Sequence, residues 1–354
     1  MNKNWTVYSA AELNRLAIKW DALNRKCGNI PFFETGFLLA LIKEFPAFDL
    51  HLAIACDSAG EWIAATLIQP QGRGQWTTYQ PSQLPLGAWL QAPTQGGDEL
   101  ARALLHKVPT FALRLGLTQL DPWICRRPAA GTRTSSIDYI TTAWVNVNGT
   151  FGDYWEGRGK NLRTNLRKQR SKLQADGIAI QFERITNPQM VDAAIVEYGQ
   201  LEAVGWKASN GTAVHSDNAQ GRFYQAMLRH FCSLGRGEIW RLRFNEKIVA
   251  MDLCISAGNT LVILKTAFDS SYQTISPAFL LKQEAFQKLF DEGYVRRIEF
   301  YGRQMDWHTR WTTESRVLYH ANFDRWAWVG KLQRVLNRLT KKTPALLKIA
   351  DSHS

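Results

Sequence analysis

The chain has little cysteine, little histidine and none of the short motifs that usually position metals or nucleophiles. Its five cysteines are scattered without a CxxC pair, which argues against a disulfide framework or a zinc site and favours reduced thiols in a cytoplasm. The seven histidines include no HExxH pair. A GxSxG elbow and a Walker A loop are also missing. These absences argue against metal-dependent, serine-hydrolase and P-loop chemistry.

Long hydrophobic runs are lacking too. No window approaches the ~20 uninterrupted apolar residues that a membrane-spanning helix needs. The N-terminal sequence MNKNWTVYSAAELNRL lacks the apolar centre of a signal peptide. We therefore expect a cytoplasmic protein.

What the chain has is length, tryptophan and positive charge. Its 354 residues are more than one core usually fills, and 45% hydrophobic with 21% charged residues is typical of a globular protein. The 14 tryptophans suit both cores and clefts. A net charge of +12 predicts attraction to a polyanion and does not choose among nucleic acid, an anionic membrane face and a phosphate-rich cofactor.

Helical and strand-like patterns alternate along the chain, which indicates an α+β protein. Residues 13–23 read as a short helix. The run FFETGFLLALIKEF over residues 32–45 predicts another, with Thr35 as its N-cap. Residues 87–97 read as a loop. We expect a domain boundary near residue 156, after a strand in which apolar and polar residues alternate.

The segment over residues 157–177 is expected to bridge the two halves. On a helix, its leucines form one narrow stripe: Leu162, Leu166 and Leu173. Its basic residues fall away from that stripe: Lys160, Arg163, Arg167 and Arg170. Gly177 would end this helix.

The clearest local signal is a strand, a polar loop and a helix over residues 260–293. The strand ends near Asp269, Ser276 occupies an N-cap position, and Pro277 is the first helical residue. A helix start carries free N–H groups and the positive end of the helix dipole, so it suits a diphosphate such as that of acyl-CoA. The residues alone favour the alternative that this helix start binds only water.

This segment resembles the acyl-CoA-binding motif of the CelD/BcsL-type (BioF2-like) GNAT acyltransferases, a family linked to exopolysaccharide and cellulose synthesis and similar in fold to the Fem aminoacyltransferases. In that family an acidic residue, a tyrosine and Ser-Pro-Gly-x-Leu-Leu open the diphosphate-binding helix. The matching residues here are Asp269, Tyr272, Ser276, Pro277, Ala278, Leu280 and Leu281. Ala278 stands where the family has glycine.

Three further segments carry the resemblance. KNLRTNLRKQRSKL is similar to the family's basic helix, and LEAVGWKASNGT to its Glu-x-x-Gly-Trp-Lys segment. IEFYGRQMDWHTRWTT resembles its late strand and Gly-x-x-x-Tyr-Lys-x-x-Trp loop. The lysine of that loop is missing from residues 306–311, and Arg310 would stand in for it. The resemblance covers roughly residues 31–325 and is specific from Lys160 onward.

The resemblance implies two tandem GNAT-like domains of the Fem kind, each a mixed, mostly antiparallel sheet flanked by helices. Residues 1–156 would form a degenerate N-terminal domain, and residues 157–325 the acyltransferase domain. Residues 326–354 would form a basic amphipathic helix and tail. Acetyl-CoA or a longer acyl-CoA would be the co-substrate, with no metal, and a saccharide or small-molecule acceptor would attack the thioester directly.

Transfer needs a group that accepts the acceptor's proton and a group that protonates the leaving thiolate. Glu202 is the first candidate base, and the alternative is a solvated carboxylate at a helix end. Asp252 lies in the apolar strand AMDLCIS and is the second candidate, the alternative being an ion-pair partner for an arginine. Tyr301 follows a strand and is the candidate acid, the alternative being packing.

The remaining candidate residues fall into two sets. The cofactor set is Lys265, Asp269, Tyr272, Ser276, Pro277, Ala278, Phe279 and Lys282, of which the two lysines would meet phosphates or simply be solvent-exposed. The acceptor set is Trp206, Lys207, Gly302, Arg303, Asp306, Trp307 and Arg310, with aromatic faces suited to a sugar ring.

Two other functions compete with acyl-CoA-dependent transfer. In an aminoacyl-tRNA-dependent transferase of the Fem kind, the basic helix would bind RNA phosphates. In a non-catalytic adaptor of an exopolysaccharide machine, the tail WAWVGKLQRVLNRLTKK would bind an anionic membrane surface. The same tail would equally anchor an active enzyme at the inner face of the cytoplasmic membrane.

Overall fold

A computed structural model describes residues 4–204, 214, 215 and 217–332. These residues form two compact units. The first takes its described residues from Met1–Gly28, Ala47–Tyr139 and Val317–Ser354, and the second from Asn29–Pro46 and Ile140–Arg316. The units therefore alternate along the chain, while the predicted domain boundaries after residues 156 and 325 stay predictions.

The strands in chain order are β1 (Asn4–Ser9), β2 (His51–Cys56), β3 (Trp62–Gly72), β4 (Gln75–Thr78), β5 (Trp89–Gln91), β6 (Arg114–Leu120), β7 (Thr134–Asn146), β8 (Ile180–Ile185), β9 (Gly237–Phe244), β10 (Lys247–Ala257), β11 (Thr260–Phe268), β12 (Arg297–Glu299) and β13 (Ser315–Asp324). The helices are α1 (Glu12–Arg15), α2 (Ala17–Lys26), α3 (Thr35–Glu44), α4 (Gly97–Leu105), α5 (Phe151–Glu156), α6 (Lys160–Ala175), α7 (Val191–Val204), α8 (Ala219–Ser233), α9 (Pro277–Glu292) and α10 (Asp306–Thr309).

The two units have the same sheet topology. In the first, the strand order is β1-β2-β3-β4-β6-β13, with β5 paired to β3. In the second, it is β8-β9-β10-β11-β12-β7. All of these pairs are antiparallel except β4–β6 and β11–β12, which are parallel. This repeat confirms the predicted α+β class and the mostly antiparallel sheets.

A helix makes the crossover of each parallel pair, because parallel strands cannot be joined by a tight turn. That helix is α4 in the first unit and α9 in the second. The sixth strand of each sheet lies outside the run of strands that forms the rest of that sheet. In the chain, β13 of the first sheet comes after every strand of the second sheet, and β7 of the second sheet comes before the other strands of that sheet. Sequence periodicity cannot reveal such an exchange.

Each unit has its own core. In the first, α4 packs its buried face, including Leu100 and Leu104, into a cluster with Trp76 and Trp89. In the second, the predicted leucine stripe of α6 and the buried face of α9 pack with the middle strands. Fully burying each of these large apolar side chains stabilises the fold by about 1.5–3 kcal/mol.

Several local predictions need correction. The helix predicted over residues 13–23 is broken into α1 and α2. The N-cap of α3 is Glu34 and not Thr35, which is the first helical residue, and the Glu34 carboxylate accepts hydrogen bonds from Arg236. The segment read as a loop over residues 87–97 contains β5. The basic helix ends as predicted, since Gly177 has φ 68°.

Candidate active site

The loop before α9 is held by Asp269, which comes directly after β11. Its carboxylate accepts hydrogen bonds from the backbone N–H and the hydroxyl of Ser271, at 2.8 and 2.6 Å, and pairs with Lys247 at 2.8 Å. Burial opposes ionisation, but these contacts outweigh it and lower the pKa of Asp269. Tyr272 packs its ring against Phe244 and lies below the Lys247 ammonium. Both motif residues therefore shape the loop.

Ser276 joins this loop to α9 in a left-handed backbone conformation, with φ 52° and ψ 58°. Non-glycine residues adopt this region uncommonly, and such strain concentrates at ligand-binding sites. The N-cap position was predicted correctly. The predicted side-chain cap was wrong, because the Ser276 hydroxyl accepts no hydrogen bond from the helix. Its carbonyl oxygen instead accepts from Phe279 N–H at 2.9 Å.

The start of α9 is consequently a helix end without a side-chain cap. Pro277 is at its first position, as predicted, and Ala278 is half-buried. The Arg310 guanidinium lies 5.6 Å from the centre of the Phe279 ring in the first turn. A positive helix end with an arginine beside its first turn fits a diphosphate group. The residues present therefore suit the coenzyme A that the resemblance implies.

A buried ion pair lies further along α9. The Lys282 ammonium is 3.0 Å from the Asp252 carboxylate of β10 and 3.2 Å from the Thr266 hydroxyl, and the two charged side chains are 2% and 0% exposed. The lysine was expected at cofactor phosphates or in solvent, and the aspartate as a base or a partner for an arginine. This geometry favours a structural pair, with a lysine in the partner role.

A second carboxylate–lysine pair lies in the same unit. Glu202, near the end of α7, is 3.5 Å from the Lys265 ammonium of β11 and accepts a hydrogen bond from Val214 N–H at 2.7 Å. It is only 4% exposed, so the expected alternative of a solvated helix-end carboxylate is wrong. Lys265 is 19% exposed, which makes this pair more accessible than the Asp252–Lys282 pair.

Two buried tyrosines lie near these carboxylates. Burial, followed by the nearby charge of Glu202, raises the pKa of Tyr198 and of Tyr224, and Asp252 contributes at Tyr198. The Lys265 ammonium lies 5.6 Å from the Tyr224 ring centre. The Tyr198 hydroxyl is buried and has no hydrogen-bond partner in the part of the chain that the structure describes. The sequence analysis missed both tyrosines, which carry no motif of their own.

Tyr301 has a left-handed backbone as well, with φ 49°. Its ring packs edge-on against Phe32 at 5.1 Å, and the guanidinium of Arg316 lies 5.2 Å from its centre. Arg316 is itself paired with buried Glu299 at 3.1 Å. The strained backbone and these contacts fix the half-buried phenol just after β12, where the sequence placed the candidate acid.

The acceptor-set residues that the structure describes follow Tyr301. Gly302, Arg303, Asp306 and Arg310 are exposed. Trp307 is half-buried and stacks on the His308 imidazole at 3.5 Å, and the Lys282 ammonium is 5.3 Å from its indole centre. Trp206 and Lys207 lie outside the described residues. The structure thus brings Trp307 to the ion pair and Arg310 to the start of α9.

His308 is a further residue that the sequence analysis did not single out. It is 4% exposed, and its Nδ1 accepts a hydrogen bond from Met305 N–H at 2.9 Å. Burial lowers its pKa to about 4, the hydrogen bond to Met305 opposes this, and the Lys282 charge adds to the lowering. Its imidazole is therefore neutral near pH 7. The sequence signal for His308 is its position between Trp307 and Trp311 in the segment that resembles the family's late loop.

Within residues 4–204, 214, 215 and 217–332, no group of three or more histidine, cysteine, aspartate or glutamate side chains has the arrangement of a metal site. In the same ranges, no helix combines the length and the apolar character that crossing a membrane requires.

Comparison with known proteins gives the class of the domain that contains these residues. Residues 160–309, all within the second unit, match the family model of an acetyltransferase (GNAT) domain. No curated protein matches the chain.

Solved structures resemble the whole fold. The C-terminal DUF2156 domain of an assigned lysylphosphatidylglycerol synthetase from Agrobacterium fabrum is similar with a TM-score of 0.57 and 15% identity, over 92% of this chain and 96% of that one. FemX is similar with a TM-score of 0.56 and 9% identity, over 89% and 98%. A conserved protein of unknown function from Bacteroides thetaiotaomicron is similar with a TM-score of 0.53 and 11% identity, over 91% of this chain and 100% of that one.

At these identities the structural likeness concerns the fold alone. The fold is of the Fem-like, tandem GNAT kind, in agreement with the expected fold class. Together with the domain match, it shows that the protein is an acyltransferase.

Proposed function

We propose that the protein transfers an acyl group from acetyl-CoA or a longer acyl-CoA to an amine or hydroxyl group of a sugar or polysaccharide precursor. The observation that carries this proposal is the start of α9. Ser276 is held in a left-handed conformation there, its side chain does not cap the helix, and Arg310 lies beside the first turn. A diphosphate would lie at the positive end of the α9 dipole, next to the Arg310 guanidinium.

The proposed reaction is a direct displacement. The lone pair of the acceptor attacks the thioester carbonyl carbon, a C–N or C–O bond forms, and the C–S bond breaks. The acceptor's proton passes to a carboxylate, and the departing thiolate takes a proton from a phenol. No covalent enzyme intermediate is needed, so the protein's task is to orient the groups and to move these two protons.

Glu202 is the carboxylate that fits the role of base. Its partner Lys265 is 19% exposed, so an acceptor can reach this pair from outside. Asp252 is 0% exposed and its partner Lys282 is 2% exposed, so that pair is closed to an acceptor. The Val214 N–H and the Lys265 ammonium fix the position of the Glu202 carboxylate.

Tyr301 fits the role of acid. Its position is fixed by Phe32 on the ring edge and by Arg316 over the ring face. Trp307 would offer an aromatic face to a sugar ring, because carbohydrate C–H groups pack on such faces. These assignments remain with residues of the second unit, where the GNAT domain match falls.

Calorimetric titration with acetyl-CoA and with longer acyl-CoAs tests the cofactor. Ser276→Glu places a negative charge at the start of α9 and is expected to weaken binding at least tenfold, by about 1.4 kcal/mol. Ser58→Glu, in an exposed turn of the first unit, is the matched control and should bind as the wild type does. Equal binding by both variants would place the cofactor elsewhere.

If no acyl-CoA binds to the folded wild-type protein, the proposal fails. Aminoacyl-tRNA would then become the donor to test, with RNase sensitivity of the transfer as the measurement. The non-catalytic adaptor would be the remaining hypothesis.

We also propose that the enzyme works at an anionic membrane surface. In the first unit, Trp326 and Trp328 stack on each other at 5.8 Å and are 43% and 53% exposed. Phe111, 61% exposed, packs on Trp326, and the Arg325 guanidinium lies 4.7 Å from its ring centre. Exposed tryptophan beside cationic side chains suits the interface of an anionic bilayer.

Co-sedimentation with vesicles tests this surface. Vesicles of equal parts phosphatidylglycerol and phosphatidylcholine should pellet the protein, and pure phosphatidylcholine vesicles should not. Trp326→Ala/Trp328→Ala should lose binding, whereas Trp123→Ala removes another exposed tryptophan of the same unit and should keep it. Binding that survives in the double variant would contradict the proposal.

A further inference from the structure

The basic helix α6 forms one wall of a cavity of about 630 Å³ in the second unit, which we call the α6 cavity. Its lining from α6 is a single stripe at helical spacing that includes Lys160, Arg163, Arg167 and Arg170. Trp155 of α5 and Gln283 of α9 complete the wall. A volume of this size falls in the range of sites for nucleotide-sized ligands.

The positive charge of this cavity is mostly uncompensated. Arg170 is bound by the Gln283 side chain and by Glu284, at 2.6 Å from the latter. In the described part of the chain, no carboxylate lies within ion-pair distance of Lys160, Arg163 or Arg167. Like charges three or four residues apart on one helix face repel each other and destabilise the helix. An anion in the cavity would relieve that repulsion.

The α6 cavity is also connected to the start of α9. The Gln169 amide nitrogen on α6 lies 3.5 Å from the Ser276 hydroxyl and 3.4 Å from the Thr274 carbonyl oxygen. Measured along the helix axis, Arg167 is about 3 Å from Gln169 and Arg163 is about 9 Å from it. A ligand whose diphosphate lies at Ser276 would therefore have its next phosphate within reach of this stripe.

Coenzyme A has the required chemistry. Its diphosphate and its 3′-phosphate are attached to the same ribose, which also carries the adenine ring. We propose that the α6 cavity binds the 3′-phosphate of coenzyme A through Arg163 and Arg167, with the Trp155 indole as an apolar wall for the adenosine. This inference rests on the proposed function, because it assigns one part of the same co-substrate.

The test compares two ligands on the same protein, coenzyme A and dephospho-coenzyme A, which lacks only the 3′-phosphate. The wild-type protein should bind coenzyme A about 10- to 100-fold more tightly, which is the worth of a charge-assisted contact. Arg163→Ala/Arg167→Ala should bring this ratio close to one. Because both ligands are titrated into the same variant, a partly unfolded sample cannot change the ratio.

The matched control is Lys168→Ala/Lys172→Ala. It removes two positive charges from the same helix at exposed positions that do not line the α6 cavity, so the wild-type ratio should persist. A ratio near one in the wild type, or an unchanged ratio in the arginine variant, would overturn the inference while leaving acyl-CoA binding intact. Loss of RNA binding in the arginine variant with an unchanged ratio would assign the cavity to RNA. Absence of binding by both ligands would instead refute the proposed function.

Discussion

The Lys282 ammonium lies 3.0 Å from the Asp252 carboxylate in the interior of the second unit. The two residues join α9, whose first turn is the candidate diphosphate site, to the middle strand β10. A buried pair of this kind contributes little against well-packed apolar residues, but it costs a great deal when only one member is removed.

Asp252→Asn should therefore lower the free energy of unfolding by about 3–5 kcal/mol, because it removes the negative charge that pairs with the buried Lys282 ammonium. Asp252→Leu/Lys282→Met, which removes both charges, should lower the free energy of unfolding much less. Urea unfolding measures both. Lys247→Met removes the 56% exposed partner of Asp269 and should cost under about 1 kcal/mol. If Asp252→Asn were as mild as this control, the pair would not be the buried element described here.

Local sequence rules predicted some features of α6 and α9 correctly and others wrongly. Pro277 at the first helical position and Gly177 beyond the end of α6 follow from local backbone rules, and both predictions were confirmed. The side-chain cap at Ser276 was wrong because the rule assumes an extended backbone at the N-cap, and Ser276 is left-handed. A three-residue strand such as β5 is too short for periodicity to detect.

Other features depend on contacts between residues far apart in the chain. Asp252 and Lys282 are 30 positions apart, and no local pattern pairs them. The Glu202–Lys265 pair is separated by 63 positions. All four residues were candidates in the sequence, whereas only the fold shows which pair is closed and which is accessible. The exchange of β7 and β13 between the two sheets is non-local for the same reason.

Gly199 in α7 sets the position of Val214. A methyl group added at Gly199 would lie 2.4 Å from the Val214 carbonyl oxygen, and the Val214 N–H is the donor to Glu202. Gly199→Ala gains up to about 1 kcal/mol of helix propensity but should lose about 1–3 kcal/mol through this overlap, so the net change is a lower thermal midpoint.

The control for this substitution is Gly152→Ala in α5. There the added methyl group meets only the Thr150 hydroxyl at 3.6 Å, an ordinary contact. Gly152→Ala should leave the thermal midpoint unchanged or raise it. A raised midpoint in Gly199→Ala as well would show that Val214 moves freely.

His308 should make stability depend on pH. Its ordinary pKa of 6.5 is lowered to about 4 in the folded protein, mainly by burial. Between these values the unfolded chain binds a proton that the folded chain does not, so stability falls as the pH drops from about 6.5 to 4. The gap between the two pKa values corresponds to roughly 3 kcal/mol.

His308→Asn keeps an acceptor for the Met305 N–H and cannot titrate in this range. Urea unfolding at several pH values should therefore show a shallower loss for this variant than for the wild type. His215→Asn, at an exposed histidine of the same unit, should keep the wild-type slope. Parallel curves for the wild type and His308→Asn would exclude His308 as the source.

Glu202→Gln is the variant that tests the proposed base. Glutamine still accepts a hydrogen bond from the Val214 N–H but loses the charge that pairs with Lys265 and the ability to take a proton. Release of free thiol from acetyl-CoA, with glucosamine as one acceptor in a panel, should fall by about 10²- to 10⁴-fold. Acyl-CoA affinity should change little, because the proposed diphosphate site is on α9.

Lys265→Met separates catalysis from pairing. It removes the ion pair but leaves the Glu202 carboxylate and its hydrogen bond from Val214, so the variant should retain most of the wild-type rate if Glu202 is the base. If Glu202→Gln and Lys265→Met reduced the rate equally, Glu202 would act only through the pair. The proton would then leave the acceptor by way of solvent, and the Glu202–Lys265 pair would be a structural element like the Asp252–Lys282 pair.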